Sequence, residues 1–239
     1  MVDRMNRITE SWKIGILDFD RDISPSSLAV DGGSITERHI LFSLAEKVVA
    51  HTGRGEPLLD FLESSANLNI SGRVREYLLD VENPHYEYDL LGVFKSTLIS
   101  DIYIQPADDE CVGVVSALEF AKSIGAIPAY AYLGDVTDSP TGDKKAAKFE
   151  DDYLEELFKE LKTLGFQAVT YMPPRNTREQ LTKIQELCGE YELMEISGVD
   201  INSSRQSFNC PELLLNEYKH LAGSAWGLIA HEKLADADN

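Results

Sequence analysis

Two oxygen-bearing side chains, Asp200 and Asn202, stand two residues apart just after a predicted strand. Alternate side chains of extended backbone point to the same side, so both could reach one cation or one substrate. Carboxylate and amide oxygens suit Mg²⁺, Mn²⁺ or Ca²⁺ better than a soft metal. Asp and Asn also form ordinary turns after strands by bonding to nearby backbone N–H groups. The pattern therefore predicts either a cation site or a simple turn.

A site for anions is indicated by Arg175, which with Asn176 precedes a predicted helix. A helix N-terminus favours anions, and a guanidinium adds a planar fork that fits phosphate or carboxylate. Arg205 is a second cation that could reach the same face, and a lysine-rich stretch at 144–148 lies in a long loop that could act as a lid. A surface arginine beside an ordinary helix cap is the alternative interpretation of Arg175.

The elements that must position these side chains follow from hydrophobic periodicity. From residue 110 onward helical and strand patterns alternate, with strands expected at 126–132, 168–171 and 193–197. Such alternation predicts parallel strands joined by crossover helices. Ligand sites of these folds lie beyond the carboxyl ends of the strands. We therefore expect three segments to share one face, namely 132–135, 172–177 and 198–202.

Composition limits the classes of partner. The chain has 239 residues with 41 acidic and 22 basic side chains, a net charge of −19. We expect no nucleic-acid or membrane partner, because both need clustered cations, and no apolar run approaches the roughly 18 residues of a spanning helix. Nucleotide-binding glycine motifs are missing, so no nucleotide cofactor is expected. Three scattered cysteines and a polar N-terminus predict a cytoplasmic protein.

Four short motifs follow one another along the chain, and their order and spacing carry more information than any one of them. Residues 35–39 (ITERH), followed by an amphipathic helix, are similar to an (I/V)-(S/T)-x-x-H helix start, and residues 125–132 (GAIPAYAY) to a strand GG-x-P-V-x-A-H. Residues 174–177 (PRNT) stand where (S/G)-x-H-T is common, and residues 198–202 (GVDIN) where G-S-D-F-H occurs. Over roughly residues 34–210 the chain thereby resembles the PHP-domain phosphoesterases (polymerase and histidinol phosphatase superfamily).

The resemblance implies an α/β fold, a partial PHP-like distorted (βα) barrel with an α-helical insert. It implies a metal-dependent phosphoesterase, or a fragment of one, that hydrolyses a small phosphate ester such as a nucleotide with Mn, Mg, Zn or Fe. Asp200 would be the catalytic residue and a metal ligand, with Asn202 and Asp135 as further ligands. Contacts to the phosphorylated substrate would come from Arg175, Asn176, His39, Arg205 and Tyr132.

The resemblance also sets the expected domain organisation. We predict the N-terminal strand and loop of the barrel over 1–33, the α-helical insert over 34–105 and the C-terminal βα units over 106–239. The first strand is expected at Ile14–Leu17, and a capping box at Ser34–Glu37 is expected to open the insert.

Departures from the family pattern leave other functions open. No HxH motif precedes Thr36, and Tyr132 and Asn202 stand where the family has metal-binding histidines. The chain is then either the back portion of a longer protein or a diverged member with altered chemistry. One alternative is a catalytically altered PHP-like protein that binds a phosphorylated or acidic small ligand without turnover, with Tyr132 as a stacking or hydrogen-bonding surface. Another is a different α/β barrel hydrolase or lyase with Asp135 or Asp200 as general base.

Overall fold

The chain divides into two compact units that combine helices with a small parallel sheet. The computed structural model describes residues 1–107, 109–136, 148–201 and 203–237. The first unit comprises Met1–Gln105 with Ser203–Arg205, and the second comprises Pro106–Asn202 with Gln206–Asn239. None of the helices in these described ranges is long and apolar enough to cross a membrane.

The first unit is helical in the described residues. Helices α2 and α5 pack against each other, and their leucines and Phe94 are buried with those of α3. Helices α2 to α5 agree with the helical character expected over 34–105, and their apolar side chains at helical spacing form one core. The helices are α1 (Val2–Thr9), α2 (Glu37–Thr52), α3 (Glu56–Ser64), α4 (Gly72–Leu79) and α5 (Tyr86–Ile102).

The prediction of a strand at Ile14–Leu17 is wrong. This segment has no regular secondary structure, Gly15 within it has φ +80°, and it pairs with no strand among the described residues. It follows α1 and a short 3-10 turn at Glu10–Trp12. The carboxamide of Asn6 replaces a neighbouring strand, because its Oδ1 accepts from Leu17 N at 2.7 Å and its Nδ2 donates to Leu17 O at 2.9 Å. The buried side chain of Leu17 explains the apolar pattern without a sheet.

The capping box that opens α2 lies two residues later than expected. Thr36 is the N-cap residue, and His39 takes the third helical position. The backbone N–H of Thr36 donates to His39 Nδ1 at 3.0 Å. The side chain of Glu37 instead lies 3.4 Å from Lys95 Nζ. His39 therefore caps the N-terminus of α2, where the first backbone N–H groups of a helix have no partner within the helix.

The second unit is built on a sheet with the strand order β1-β2-β3. Both strand pairs are parallel, with Ala129 opposite Ala168 and Ala168 opposite Met194. The expected parallel arrangement is confirmed. The elements are α6 (Val114–Ser123), β1 (Ala129–Ala131), α7 (Leu154–Leu164), β2 (Ala168–Tyr171), α8 (Arg178–Tyr191), β3 (Met194–Ser197) and α9 (His220–Ala237).

Local sequence signals explain how the helices of the second unit begin and end. Helix α7 buries Leu154, Phe158 and Leu161 on one face and ends at Gly165, which has the left-handed conformation (φ 93°) of a helix C-terminus. Thr177 opens the predicted helix α8, and it forms a capping box with Gln180. These signals set where the loops at the carboxyl edge of the sheet start and stop.

Candidate functional site

The segments that follow β1 and β2 meet at the carboxyl edge of the sheet. The carbonyl oxygen of Leu133 accepts from Arg175 Nε at 3.2 Å and from Asn176 Nδ2 at 2.7 Å. Asn176 is 8% exposed, and its Oδ1 also accepts from Met172 N at 3.1 Å. Both ends of this carboxamide are thus occupied by backbone, so Asn176 holds the two loops together and positions Arg175.

Asp151 connects these loops to the start of α8. Its Oδ1 accepts from the Tyr132 hydroxyl at 2.6 Å, and its Oδ2 accepts from Asp135 N at 3.1 Å and Gln180 Nε2 at 2.7 Å. Gln180 Nε2 also donates to the carbonyl of Asp135 at 2.9 Å. Neither Asp151 nor Gln180 is a candidate from sequence. The only signal for Gln180 is its place in the capping box, and Asp151 carries none.

A second carboxylate, Glu150, is buried beside the first. It is 3% exposed, and its Oε1 accepts from Leu133 N at 3.0 Å and from the Tyr130 hydroxyl at 3.2 Å. Burial first, and then the charge of Glu150, raises the pKa of Tyr130. Backbone and phenol donors therefore satisfy this carboxylate in place of water.

The environment of Tyr132 shows how the carboxylates are grouped. The ring is 1% exposed, and its hydroxyl donates to Asp151. Burial raises the pKa of Tyr132 most, followed by the hydrogen bond to Asp151 and the charges of Asp151, Glu150 and Asp135. All three acids therefore act on one hydroxyl group. The stacking surface expected at Tyr132 is not available with the ring in this buried position, and a role in binding substrate stays a prediction.

Gly134 lies where the polar groups converge. Its φ is +71°, and a Cβ atom there would lie 2.7 Å from the Tyr132 hydroxyl, 2.8 Å from Asn176 Nδ2 and 2.9 Å from Gln180 Nε2. Real Cβ contacts are not this short, so the loop accepts only glycine without moving one of these groups. This requirement is not visible in the sequence, because the three neighbours come from distant segments.

Arg175 is the cation of this edge. Its Nη2 atom is buried and has no hydrogen-bond partner in the described residues, and its guanidinium carbon lies 6.0 Å from the centre of the Phe149 ring. No carboxylate in the described part of the chain forms an ion pair with it. Unsatisfied buried donors are rare and costly in folded proteins, so this nitrogen requires an explanation.

Two of the three predicted metal ligands, Asp135 and Asp200, lie in the described residues, and their binding of one cation stays a prediction. Asp135 Oδ1 accepts from Phe149 N at 2.6 Å, and its Oδ2 lies 3.7 Å from Lys148 Nζ. Asp200 is exposed, and its backbone carbonyl accepts from Gln206 Nε2 at 3.0 Å. Asn202, like the lysines at 144 and 145, lies outside the described residues. Within the described ranges no three His, Cys, Asp or Glu side chains are grouped so that they could share a metal ion.

The other two predicted substrate contacts, His39 and Arg205, belong to the first unit. His39 caps α2 as described above. Arg205 forms a two-point pair with Asp89 at 2.9 and 2.7 Å, donates to Asn83 Oδ1 at 3.0 Å and lies 3.8 Å above the Tyr77 ring. These partners bind Nε and Nη2 of the guanidinium, so Arg205 contributes to the packing of the first unit, and its contact with a substrate stays a prediction.

No protein-family profile, curated protein or solved structure matches this chain. The fold and the site together define a mixed α/β protein. The carboxyl edge of its parallel sheet carries a hydrogen-bonded network of the buried Glu150 and the partly buried Asp151 and Asp135, next to Arg175, which forms no ion pair in the described residues.

Proposed function

We propose that the second unit binds a small phosphorylated or acidic ligand at the carboxyl edge of its sheet, with Arg175 as the group that holds the anion. The observation that supports this is the buried Nη2 of Arg175, which has no partner in the described residues. An oxygen of a phosphate or carboxylate would satisfy this nitrogen and could accept from the guanidinium at two points. The contact relieves an unfavourable state of the free protein, which adds to the affinity.

The rest of the network prepares Arg175 for this contact. Its Nε is already bonded to Leu133 O, and Asn176 fixes the same carbonyl from the next position in the chain. A side chain held in this way loses little conformational freedom when a ligand binds. In this proposal Asn176 and Tyr132 act by positioning Arg175 and its loop rather than by touching the ligand.

The experiment is a calorimetric titration of the whole protein with inorganic phosphate and with small mono- and dicarboxylates. Binding is expected to weaken about tenfold or more in Arg175→Gln, because a charge-assisted hydrogen bond contributes roughly 1.5–3 kcal/mol. Arg178→Gln is the matched control, since Arg178 is exposed and already paired with Glu217 at 2.9 Å. Equal affinities of the wild type and Arg175→Gln for every anion would disprove the proposal.

A second candidate is hydrolysis of a small phosphate ester, such as a nucleotide, by a PHP-like partial barrel with Mn, Mg, Zn or Fe. It is supported by Asp200, an exposed carboxylate three residues after the end of β3, for which the described residues show no side-chain partner. We propose no nucleotide cofactor and a cytoplasmic location for either function. The test is release of nitrophenol from p-nitrophenyl phosphate with each metal. Activity that Asp200→Ala leaves unchanged would remove Asp200 from the assignment.

A further inference from the structure

The charges around Arg175 restrict the chemistry of its ligand beyond a simple anion. Leu133 bonds to Arg175 through its carbonyl and to Glu150 through its N–H. This shared residue places the Glu150 carboxylate within roughly 10 Å of the guanidinium, about one Debye length, and burial weakens the screening further. A ligand group on Arg175 therefore lies within the electric field of Glu150.

Two further carboxylates reinforce this field. Asp151 accepts from the Tyr132 hydroxyl at 2.6 Å and from Asp135 N at 3.1 Å, and Tyr132 directly precedes Leu133. One cation besides Arg175 offsets them among the described residues of these loops, Lys148, whose side chain is 73% exposed. In the part of these loops that the structure describes, Arg175 is thus accompanied by three acids and one solvated cation. A ligand with two negative charges would satisfy Arg175 and be repelled by the rest of the site.

We infer that the ligand of this site is zwitterionic, with one acidic group on Arg175 and one amine facing the carboxylates of Glu150 and its neighbours. The inference rests on the proposed function and specifies its ligand class. The acidic group can be a phosphate monoester or a carboxylate, because a guanidinium pairs with either. A short spacer of about two or three carbon atoms fits charges separated by less than the roughly 10 Å between Arg175 and Glu150.

The experiment compares two pairs of probes by calorimetry on the whole protein. O-phosphoethanolamine is paired with monoethyl phosphate, and β-alanine with propionate, so that each pair differs by one amine. The member with the amine is expected to bind about tenfold more tightly, since opposite charges at this distance interact by roughly that factor at an effective dielectric constant near 20. Arg175→Gln is expected to weaken all four probes.

Glu150→Gln tests the source of the preference. A glutamine keeps the size of the side chain and an oxygen that accepts from Leu133 N, so the loop is retained. The variant is expected to weaken phosphoethanolamine and to strengthen monoethyl phosphate, and these opposite changes cannot arise from misfolding. Glu160→Gln, at an exposed position of α7, is the matched control and should change neither affinity.

Three other results of these titrations would contradict the zwitterionic ligand. Equal affinities within both pairs, with binding still dependent on Arg175, would overturn the zwitterionic ligand and leave the proposed function standing. A preference for the amine that is as large in Glu150→Gln as in the wild type would also overturn it, because the buried Glu150 carboxylate would contribute nothing to it. If none of the four probes binds in a manner that depends on Arg175, the proposed function and this inference both fail.

Discussion

Replacing Gly134 by alanine is the most direct test of the network at the sheet edge. The added Cβ atom would meet the Tyr132 hydroxyl at 2.7 Å, Asn176 Nδ2 at 2.8 Å and Gln180 Nε2 at 2.9 Å. All three groups donate hydrogen bonds that join separate segments of the second unit. At least one of these groups must move away, and the bond it forms is then lengthened or lost.

The expected cost has two parts. An alanine at φ +71° costs about 1–2 kcal/mol from its left-handed backbone alone. Loss of two buried hydrogen bonds adds about 2–3 kcal/mol, because each contributes roughly 1 kcal/mol and one of them ends on a carboxylate. The total of about 3–5 kcal/mol is a large part of the stability of an ordinary domain.

Gly125→Ala separates the two parts. Gly125 has nearly the same φ, +70°, but no atom lies within 4 Å of the place that a Cβ would take. It should therefore show the backbone cost without the loss of hydrogen bonds. Gly198→Ala, with open space and no positive φ, should change little.

The measurement is hydrogen exchange followed by mass spectrometry at β2, whose residues lie in the core of the second unit. Protection at β2 is expected to fall two to three orders of magnitude in Gly134→Ala and about tenfold in Gly125→Ala, since about 1.4 kcal/mol corresponds to a factor of ten. If Gly134→Ala lowers the protection at β2 no more than Gly125→Ala does, the three polar groups can move aside without loss of stability. The network would then not hold the loops rigidly.

Two further predictions concern other parts of the chain. Arg205→Ala should destabilise the first unit by about 2–4 kcal/mol, because Asp89, 12% exposed, loses a two-point partner and Tyr77 its cation. Urea unfolding followed by Trp12 fluorescence measures this, and a loss no larger than that of Arg178→Ala would contradict it. Burial, and then the charge of Glu195, raises the pKa of Cys188 to about 12. The neutral thiol thus contributes stability below the unfolded pKa, about 8.5, that is lost as pH rises toward 12. At pH 8 iodoacetamide should label exposed Cys111 quickly and Cys188 only after unfolding, as peptide mass spectrometry would show; equal labelling rates would refute the buried thiol.

Much of the second unit is predictable because its signals are local. A helix of period 3.6 that buries Leu154, Phe158 and Leu161 can be recognised without its neighbours, and Thr177 with Gln180 forms a capping box within four residues. The alternation of such helices with short apolar runs predicts the parallel sheet and the edge at which Arg175 lies.

The predictions from sequence fail where one local pattern is compatible with two different structures. The apolar run at Ile14–Leu17 fits a strand equally well as a buried loop, and the side chain of Asn6 decides the matter by bonding Leu17 as a strand would. The helix start near Thr36 offers two capping pairs two residues apart, and the structure uses Thr36 with His39, while Glu37 lies 3.4 Å from Lys95. In both cases the local pattern alone does not distinguish the two outcomes.

The amino-acid sequence by itself determined which residues are apolar at regular spacing, and hence the helices, the parallel strands and the edge of the sheet that carries Arg175. Only the tertiary structure decided which polar groups are satisfied. Asp151 takes donors from residues 132, 135 and 180, and Arg175 keeps a nitrogen without a partner in the described residues. The physical reason is that burial follows from local periodicity, whereas a hydrogen bond needs two groups within about 3 Å, and that proximity exists only after distant segments have packed together.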